Sequence, residues 1–525
     1  MMSSGHVALR PRWTRRLDGQ RSCAVLLFLL LFGRGGSAQV IPIRTVPLPQ
    51  GDQFLVFPAN NLGMGGVTIA LPDSLLDPFT NPAMGARLGQ ARLFGSPTIY
   101  NTSQRTGNGA TLPLAAFGRV QGWFGGISLA VQQVDGSRDP QQFVAVPVFN
   151  RPALPPNGGP FISSGPAADF GSHGNEYALA SLGKALNGSG LSLGASVQWS
   201  RLHALDGSDL LYPGRQAMSE SGHGVDLRVG LLKDWPGNRS FEALLLHDRF
   251  RMSENVTYLD QFWDPVLQQF VATPRIERAL DRTITTGLQL AYQRPLASAG
   301  WRIGWLGNVN LVSQPRVSQN EIVTLPRDQG QATAADVGMG FSKIRGPATF
   351  AIDVLFEPIW STTWSVAQAP TVTAIGDTLA AGERMVTNRF RFSNVVLRLG
   401  VNREVTLAQL EKTVGLQVGL ALRSVSYRLT QNDRVAVTQQ TMRSSWVEWS
   451  PTWGLSLRFP EFELRYRGRV TNGMGRPGQN FNVPIGVIAQ TDLAPGNIIT
   501  VPDQALHLMG VSTITHQVSL SLPLH

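Results

Sequence analysis

The sequence predicts an all-β fold, a transmembrane antiparallel β-barrel. Three observations predict it. Apolar and polar residues alternate with period two over successive runs long enough to cross a bilayer at a tilt. Short connections between these runs alternate with long polar ones, the pattern of outer-membrane barrels. A leader with the features of an export signal opens the chain, and no later stretch has the apolar length of a spanning helix.

The leader is a basic head of Arg10, Arg12, Arg15, Arg16 and Arg21, then the apolar run Ala24–Phe32, then small residues up to Ala38. This order is that of a cleavable secretory signal, and the apolar run is too short to span a membrane. The expected organisation is therefore a signal peptide over 1–38, an N-terminal segment over 39–89, which the resemblance given below makes a plug or hatch, and a barrel over 90–525. The single cysteine, Cys23, lies before the apolar run and leaves with the leader. That excludes disulfides and thiolate chemistry in the mature chain. Six arginines before residue 39, against Asp18, carry about half of the formal charge of +10. The remainder is too weak a bias to point to nucleic acid, and no Lys/Arg-rich tract is present. Charged residues make up only 15% of the chain, well below the roughly 25% of soluble domains. With so few charges and no spanning helix, a closed barrel is the remaining structure that satisfies every backbone hydrogen bond in lipid.

The alternation is clearest in five runs. Leu191, Leu193, Ala195, Val197 and Trp199 form one row against Ser192, Gly194, Ser196, Gln198 and Ser200. Val225 to Leu231 alternates with Asp226, Arg228 and Gly230; Ile284 to Tyr292 and Trp301 to Leu311 repeat the pattern. Phe462, Leu464, Tyr466 and Val470 oppose Glu463, Arg465, Arg467 and Arg469. A final run covers Val511–Leu524. Short turns are expected near 121–122, 186–189, 234–238, 295–299, 345–347, 404–412 and 459–460. Long loops are expected near 102–109, 135–174, 204–221, 252–281, 314–333, 361–387, 430–445 and 472–510. Seven turns and eight loops give sixteen strands by direct count. Trp123, Trp301, Trp360, Trp364, Trp446, Trp449 and Trp453 fall near strand ends, where interfacial girdles sit. Between Arg389 and Asn402 the apolar phase changes near Ser393-Asn394, which reads as a β-bulge.

Ahead of the first strand, residues 60–87 read NNLGMGGVTIALPDSLLDPFTNPAMGAR. Glycines permit a tight backbone path here, and Asn81-Pro82 is a turn signal. This segment resembles the N-terminal signature of the FadL/PorV group of outer-membrane barrels, which includes the FadL/TodX type of hydrophobic-compound transporter. Gly63, Met64, Gly65 and Gly66 match its first part, Ala70-Leu71-Pro72-Asp73 its middle and Asn81, Pro82 and Ala83 its end. Ser74 replaces a second acidic residue, and Met84 displaces the final glycine. The resemblance implies fourteen strands and an N-terminal hatch inside the barrel. It implies passive uptake of hydrophobic molecules such as long-chain fatty acids. In PorV-like members it implies instead a type IX secretion barrel that binds cargo or partner proteins. A general porin is a further alternative.

Chemistry is not expected. Gly190-Leu191-Ser192-Leu193-Gly194 fits a nucleophile-elbow pattern, but Ser192 opens an alternating strand with no helix after it. There is no H-E-x-x-H, no phosphate-loop motif and no paired metal ligands, so no cofactor, metal or nucleic-acid partner is expected. The polar phase carries a basic ladder of Arg458, Arg465, Arg467 and Arg469. It could meet an anion in the lumen, or pair with lumen acids such as Glu463, Asp226 and Asp353. Outer-membrane lipid is the expected surroundings of the barrel.

Overall fold

The computed structural model describes residues 57–105, 107–136, 162–163, 172–186, 188–206, 208, 216–264, 266–297, 300–314, 329–367, 369–407, 412–477 and 508–524. The expected signal peptide, the first part of the plug and most of the loops at 135–174 and 472–510 lie outside these residues.

The strands are β1 (Ala91–Gly95), β2 (Thr98–Thr102), β3 (Asn108–Val120), β4 (Trp123–Asp135), β5 (Ile162–Ser163), β6 (Ser172–Leu186), β7 (Leu191–Leu202), β8 (Ala217–Trp235), β9 (Arg239–Asp264) and β10 (Gln269–Pro295). They continue as β11 (Trp301–Gln314), β12 (Gln329–Arg345), β13 (Ala348–Val366), β14 (Thr371–Val372), β15 (Thr378–Leu379), β16 (Arg384–Leu407), β17 (Lys412–Asp433), β18 (Thr438–Arg458), β19 (Glu463–Pro477) and β20 (Leu508–Leu524). β1 and β2 are two halves of one stave, broken at Ser96-Pro97, and both pair with β20 and β3. The two-residue β5 is appended to β9, and β14–β15 is a separate external hairpin. The remaining strands pair antiparallel with their sequence neighbours and β20 closes on the first stave, so the barrel has sixteen staves. The fourteen that the resemblance implied is corrected to the direct count.

The outer face is apolar because one phase of each stave is. On β4, Ile127, Leu129 and Val131 are 60%, 62% and 59% exposed, while Ser128, Ala130 and Gln132 between them are 3%, 5% and 3%. A soluble sandwich would bury the apolar phase. Here it points outward as a continuous band, which only a bilayer covers. No helix among the described residues is long and apolar enough to cross a membrane. Trp123, Trp301, Trp360, Trp364, Trp449 and Trp453 lie on this outward phase. Lys184 and Lys343 sit over the Trp123 and Trp301 rings at 4.9 and 4.8 Å, beside the short turns. Trp446 is the exception: it faces the lumen with Tyr427 and Met442.

Three expected loops are largely strand. β9 and β10 run through 252–281 and meet at a tight turn, and 361–387 and 430–445 are invaded by β13, β16, β17 and β18. A stave needs about 9–11 residues to cross the bilayer, so these strands stand out of it on the long-loop side. Beyond the membrane the outward face turns polar, while the inward face carries both polar and apolar residues. The period-two signal vanishes there although the hydrogen-bonded ladder continues. The expected bulge at Ser393-Asn394 is absent: β13 and β16 stay in one register across it, with Glu357 opposite Asn394 and Pro358 opposite Ser393. The apparent phase change arises because Phe390 and Phe392 point inward.

Candidate functional site

A sixteen-strand ring is too wide for its own side chains to fill. The described part of the N-terminal segment, from Phe57 onward, occupies it. Its organising group is Asp73, 1% exposed. The Asp73 carboxylate accepts four backbone N–H groups, from Asn60 (2.9 Å), Asn61 (2.9 Å), Leu75 (3.1 Å) and Leu76 (3.1 Å). That closes residues 60–76 into a loop and starts the helical turn Asp77–Thr80. Water loss pushes the Asp77 carboxyl well above its usual range, with repulsion from Asp73 and then Glu242 adding to it. Asn81 caps the next turn, Pro82–Arg87, by accepting from Ala83 N at 3.1 Å.

The expected hatch residues divide into two docking points. Gly63, Met64, Gly65 and Gly66 press against β16–β19. Gly65 N donates to Thr452 Oγ1 at 2.8 Å, and Arg467 Nε donates to Asn60 O at 3.3 Å. Gly65 has φ +73°, and a Cβ there would meet the Leu399 and Leu420 carbonyls at 2.8 Å. On the wall itself, Gly400 and Gly419 lie directly under Met64, where any side chain would overlap the plug backbone. Asn81, Pro82 and Ala83 dock on the opposite side of the chain order, over Gly194 of β7 and Gly230 of β8. Between the two points, Thr68 N and Ile69 N donate to Asp353 Oδ2 at 2.7 and 3.1 Å, and Ser342 Oγ donates to Ala70 O at 2.8 Å. The buried Arg228, ion-paired with Asp226 at 2.6 Å, donates to the Phe79 and Thr80 carbonyls. Arg87 pairs with Asp234 at 2.6 Å.

Arg458, Arg465, Arg467 and Arg469 lie on the inward phase of β18 and β19. Arg465 pairs with Glu463, Arg458 reaches Glu463 at 3.3 Å, and Arg467 holds the plug. Arg469 lies on the same phase of β19, on the far side of Arg467 from the short turn. Of the acids weighed as partners, only Glu463 serves the ladder, since Asp226 serves Arg228 and Asp353 serves the plug. Reading from sequence marked Asp353 only as a lumen acid and Arg228 only as a polar-phase residue, and did not foresee that they, Thr452 and the wall glycines meet the N-terminal segment. A signal for the glycines existed: Gly194, Gly230, Gly304, Gly340, Gly400 and Gly419 all sit on the inward phase of their strands. Glycine inside a strand marks close approach of another backbone.

The far half of the same wall is different. Phe390, Phe392, Tyr427, Leu429, Met442 and Trp446 form an apolar cluster on the inward face of β16–β18. Phe392 and Tyr427 have ring centroids 5.5 Å apart, and Tyr427 and Trp446 meet edge to face at 6.4 Å. Trp446 Nε1 is satisfied by Glu448 Oε1 at 3.0 Å. The outward neighbours Arg389, Arg391 and Arg428 are exposed and polar, so the cluster stands beyond the apolar band. It lies eight to ten residues along β16 from Gly400, about 30 Å of strand.

No family model and no curated protein matches the sequence. Among solved structures, a FadL homologue of Pseudomonas aeruginosa aligns over 89% of this chain and 99% of its own at 12% identity and a TM-score of 0.41. The toluene transporter TodX of Pseudomonas putida aligns over 88% and 96%, at 12% identity and a TM-score of 0.38. A bacterial polysaccharide outer-membrane secretin aligns over 83% and 99%, at 6% identity and a TM-score of 0.37.

Proposed function

We propose that this chain is an outer-membrane channel for passive uptake of hydrophobic small molecules. The observation that carries this reading is the division of the lumen: an inward aromatic wall on the long-loop side, over a plug tied to the opposite half. A general porin needs a continuous aqueous path, and contacts of residues 57–89 with β7–β8, β12–β13 and β16–β19 favour a plugged barrel over an open one. The apolar wall favours ligands that gain from leaving water. Burial of apolar surface is worth about 25 cal/mol per Å². A ligand captured there would move on when the plug shifts or a gap opens in the wall. Long-chain fatty acids are one ligand class in this proposal, and monoaromatic compounds are another.

The test is equilibrium dialysis of labelled oleate and labelled toluene against the purified barrel and its Trp446→Ala variant. Saturable binding of either compound, weakened about tenfold in the variant, supports the channel. Absence of saturable binding by both compounds, in protein shown to be folded, would remove it.

A further inference from the structure

A second compartment lies on the other side of the plug. At the short-turn end, a cavity of about 280 Å³ opens between Asn60, Asn61 and Ser74 of the plug and the wall formed by β13 and β16–β19. Its charged lining is Arg92, Arg458, Arg465 and Arg467 against Glu404 and Glu463. Both glutamates are engaged: Arg458 Nη2 lies 3.3 Å from Glu463 and 3.8 Å from Glu404, and Arg465 Nη2 pairs with Glu463. Among the described residues, Arg92 and Arg467 make no ion pair. Arg467 is 2% exposed and donates only to carbonyls, through Nε to Asn60 O and through Nη1 to Leu455 O and Tyr466 O, which leaves Nη2.

Two buried atoms sharpen the chemistry. The Arg465 side chain is 5% exposed, and its Nη1 has no hydrogen-bond partner. A buried charged donor left unmade costs more than a neutral one. Gln417 Oε1, on the same lining, is a buried acceptor without a partner. The cavity lining thus carries excess positive charge, and two of its residues hold, just behind the surface, an unmade guanidinium N–H and an unmade amide acceptor. The cavity's volume and its polar, charged lining suit a small polar molecule rather than an apolar acyl chain.

We propose that this cavity is a binding site for a small hydroxylated oxyanion, a phosphate monoester or its equivalent, entering from the short-turn side. Arg465 and Arg467 donate to the oxyanion, Arg92 adds charge, and Gln417 accepts from the hydroxyl. Because Asn60 and Asn61 form one wall and β17–β19 the other, the bound anion bridges the plug to the barrel. This site is separate from the hydrophobic path proposed above and stands or falls without it.

Isothermal titration of the full-length barrel in detergent, with glycerol 3-phosphate as probe and glycerol as the neutral control, tests it. Glycerol 3-phosphate binds saturably with a Kd of about 1 mM or tighter, and glycerol does not bind. Arg465→Gln weakens binding at least about tenfold. Arg92→Gln, at a residue with no ion pair to lose, weakens it about threefold. A parallel arm uses short-chain phosphatidylglycerol. Binding by both probes, or by glycerol 3-phosphate alone, makes the ligand a free solute. Arg465-dependent binding by the lipid alone makes it a headgroup, with the same oxyanion chemistry. If neither probe binds the wild type, or both variants bind as the wild type does, the proposal is overturned.

Discussion

Two halves of one wall, built from the same three strands, differ in the residues they turn inward. On the short-turn half of β16–β18 the inward residues are small or polar: Gly400, Gly419, Gln417, Gly454 and Thr452. On the far half they are Phe390, Phe392, Tyr427, Leu429, Met442 and Trp446. The outward phase changes the opposite way, from apolar Val395 and Val401 to exposed Arg389 and Arg391. The contrast shows that the inward phase is written by whatever the wall must touch. Where another backbone docks, side chains are removed. Where an apolar surface is presented to the lumen, they are enlarged.

The largest break in this comparison comes from filling the docking half. Gly419→Val places a side chain where Gly65 N and Met64 lie. Overpacking of this kind costs about 1–3 kcal/mol, more where the neighbour is backbone. The expected outcome is an unseated plug in an intact barrel, seen as a rise in single-channel conductance in planar bilayers with unchanged heat-modifiable gel mobility.

Next is Asp73→Asn, which removes a charge from the acceptor of four N–H groups. An amide oxygen accepts fewer and weaker bonds, so the plug loop loses about 2–3 kcal/mol. Hydrogen exchange at Asn60, Asn61 and Leu75 is expected to accelerate, with the barrel amides unaffected.

Changes to the far half sharpen the comparison from the other side. Phe392→Ala is expected to weaken hydrophobic ligand binding about tenfold while conductance stays at the plugged level. If instead it opens the channel, the two halves are not separable.

The smallest effect concerns pH. The docked plug holds Asp77 with a raised pKa because it is withdrawn from water. Its neutral form is therefore favoured by docking. The contribution is full below the ordinary carboxylate range and is lost as pH rises through the raised value. Plug protection in hydrogen exchange should thus fall with rising pH, and Asp77→Asn should flatten that dependence.

Much of the fold was legible in the sequence because the bilayer imposes a strict rule. Within the apolar band the period-two rows at Leu191–Ser200, Val225–Leu231 and Trp301–Leu311 match the observed faces, and the direct strand count holds. Outside the band the rule lapses, so the extensions of β9, β10, β17 and β18 read as loops. Phe390 and Phe392 read as a bulge for a related reason. Inward aromatics violate the expected polar phase, and the violation marked the apolar lumen wall rather than a fault in the ladder. The motif offered Gly63–Gly66, Asp73 and Asn81–Ala83 as hatch candidates, but the wall residues they meet, such as Asp353, Arg228 and Gly419, are hundreds of residues or several strands away. Only the closed register brings them together.

The central claim is that the apolar half of the lumen receives a hydrophobic small molecule. Native mass spectrometry of the protein, extracted gently from its own outer membrane, tests it most directly. A bound hydrophobic compound is expected at about one per chain, lost in Phe392→Ala. A ligand-free barrel carrying a stoichiometric protein partner would contradict it and turn the plugged barrel into a secretion component.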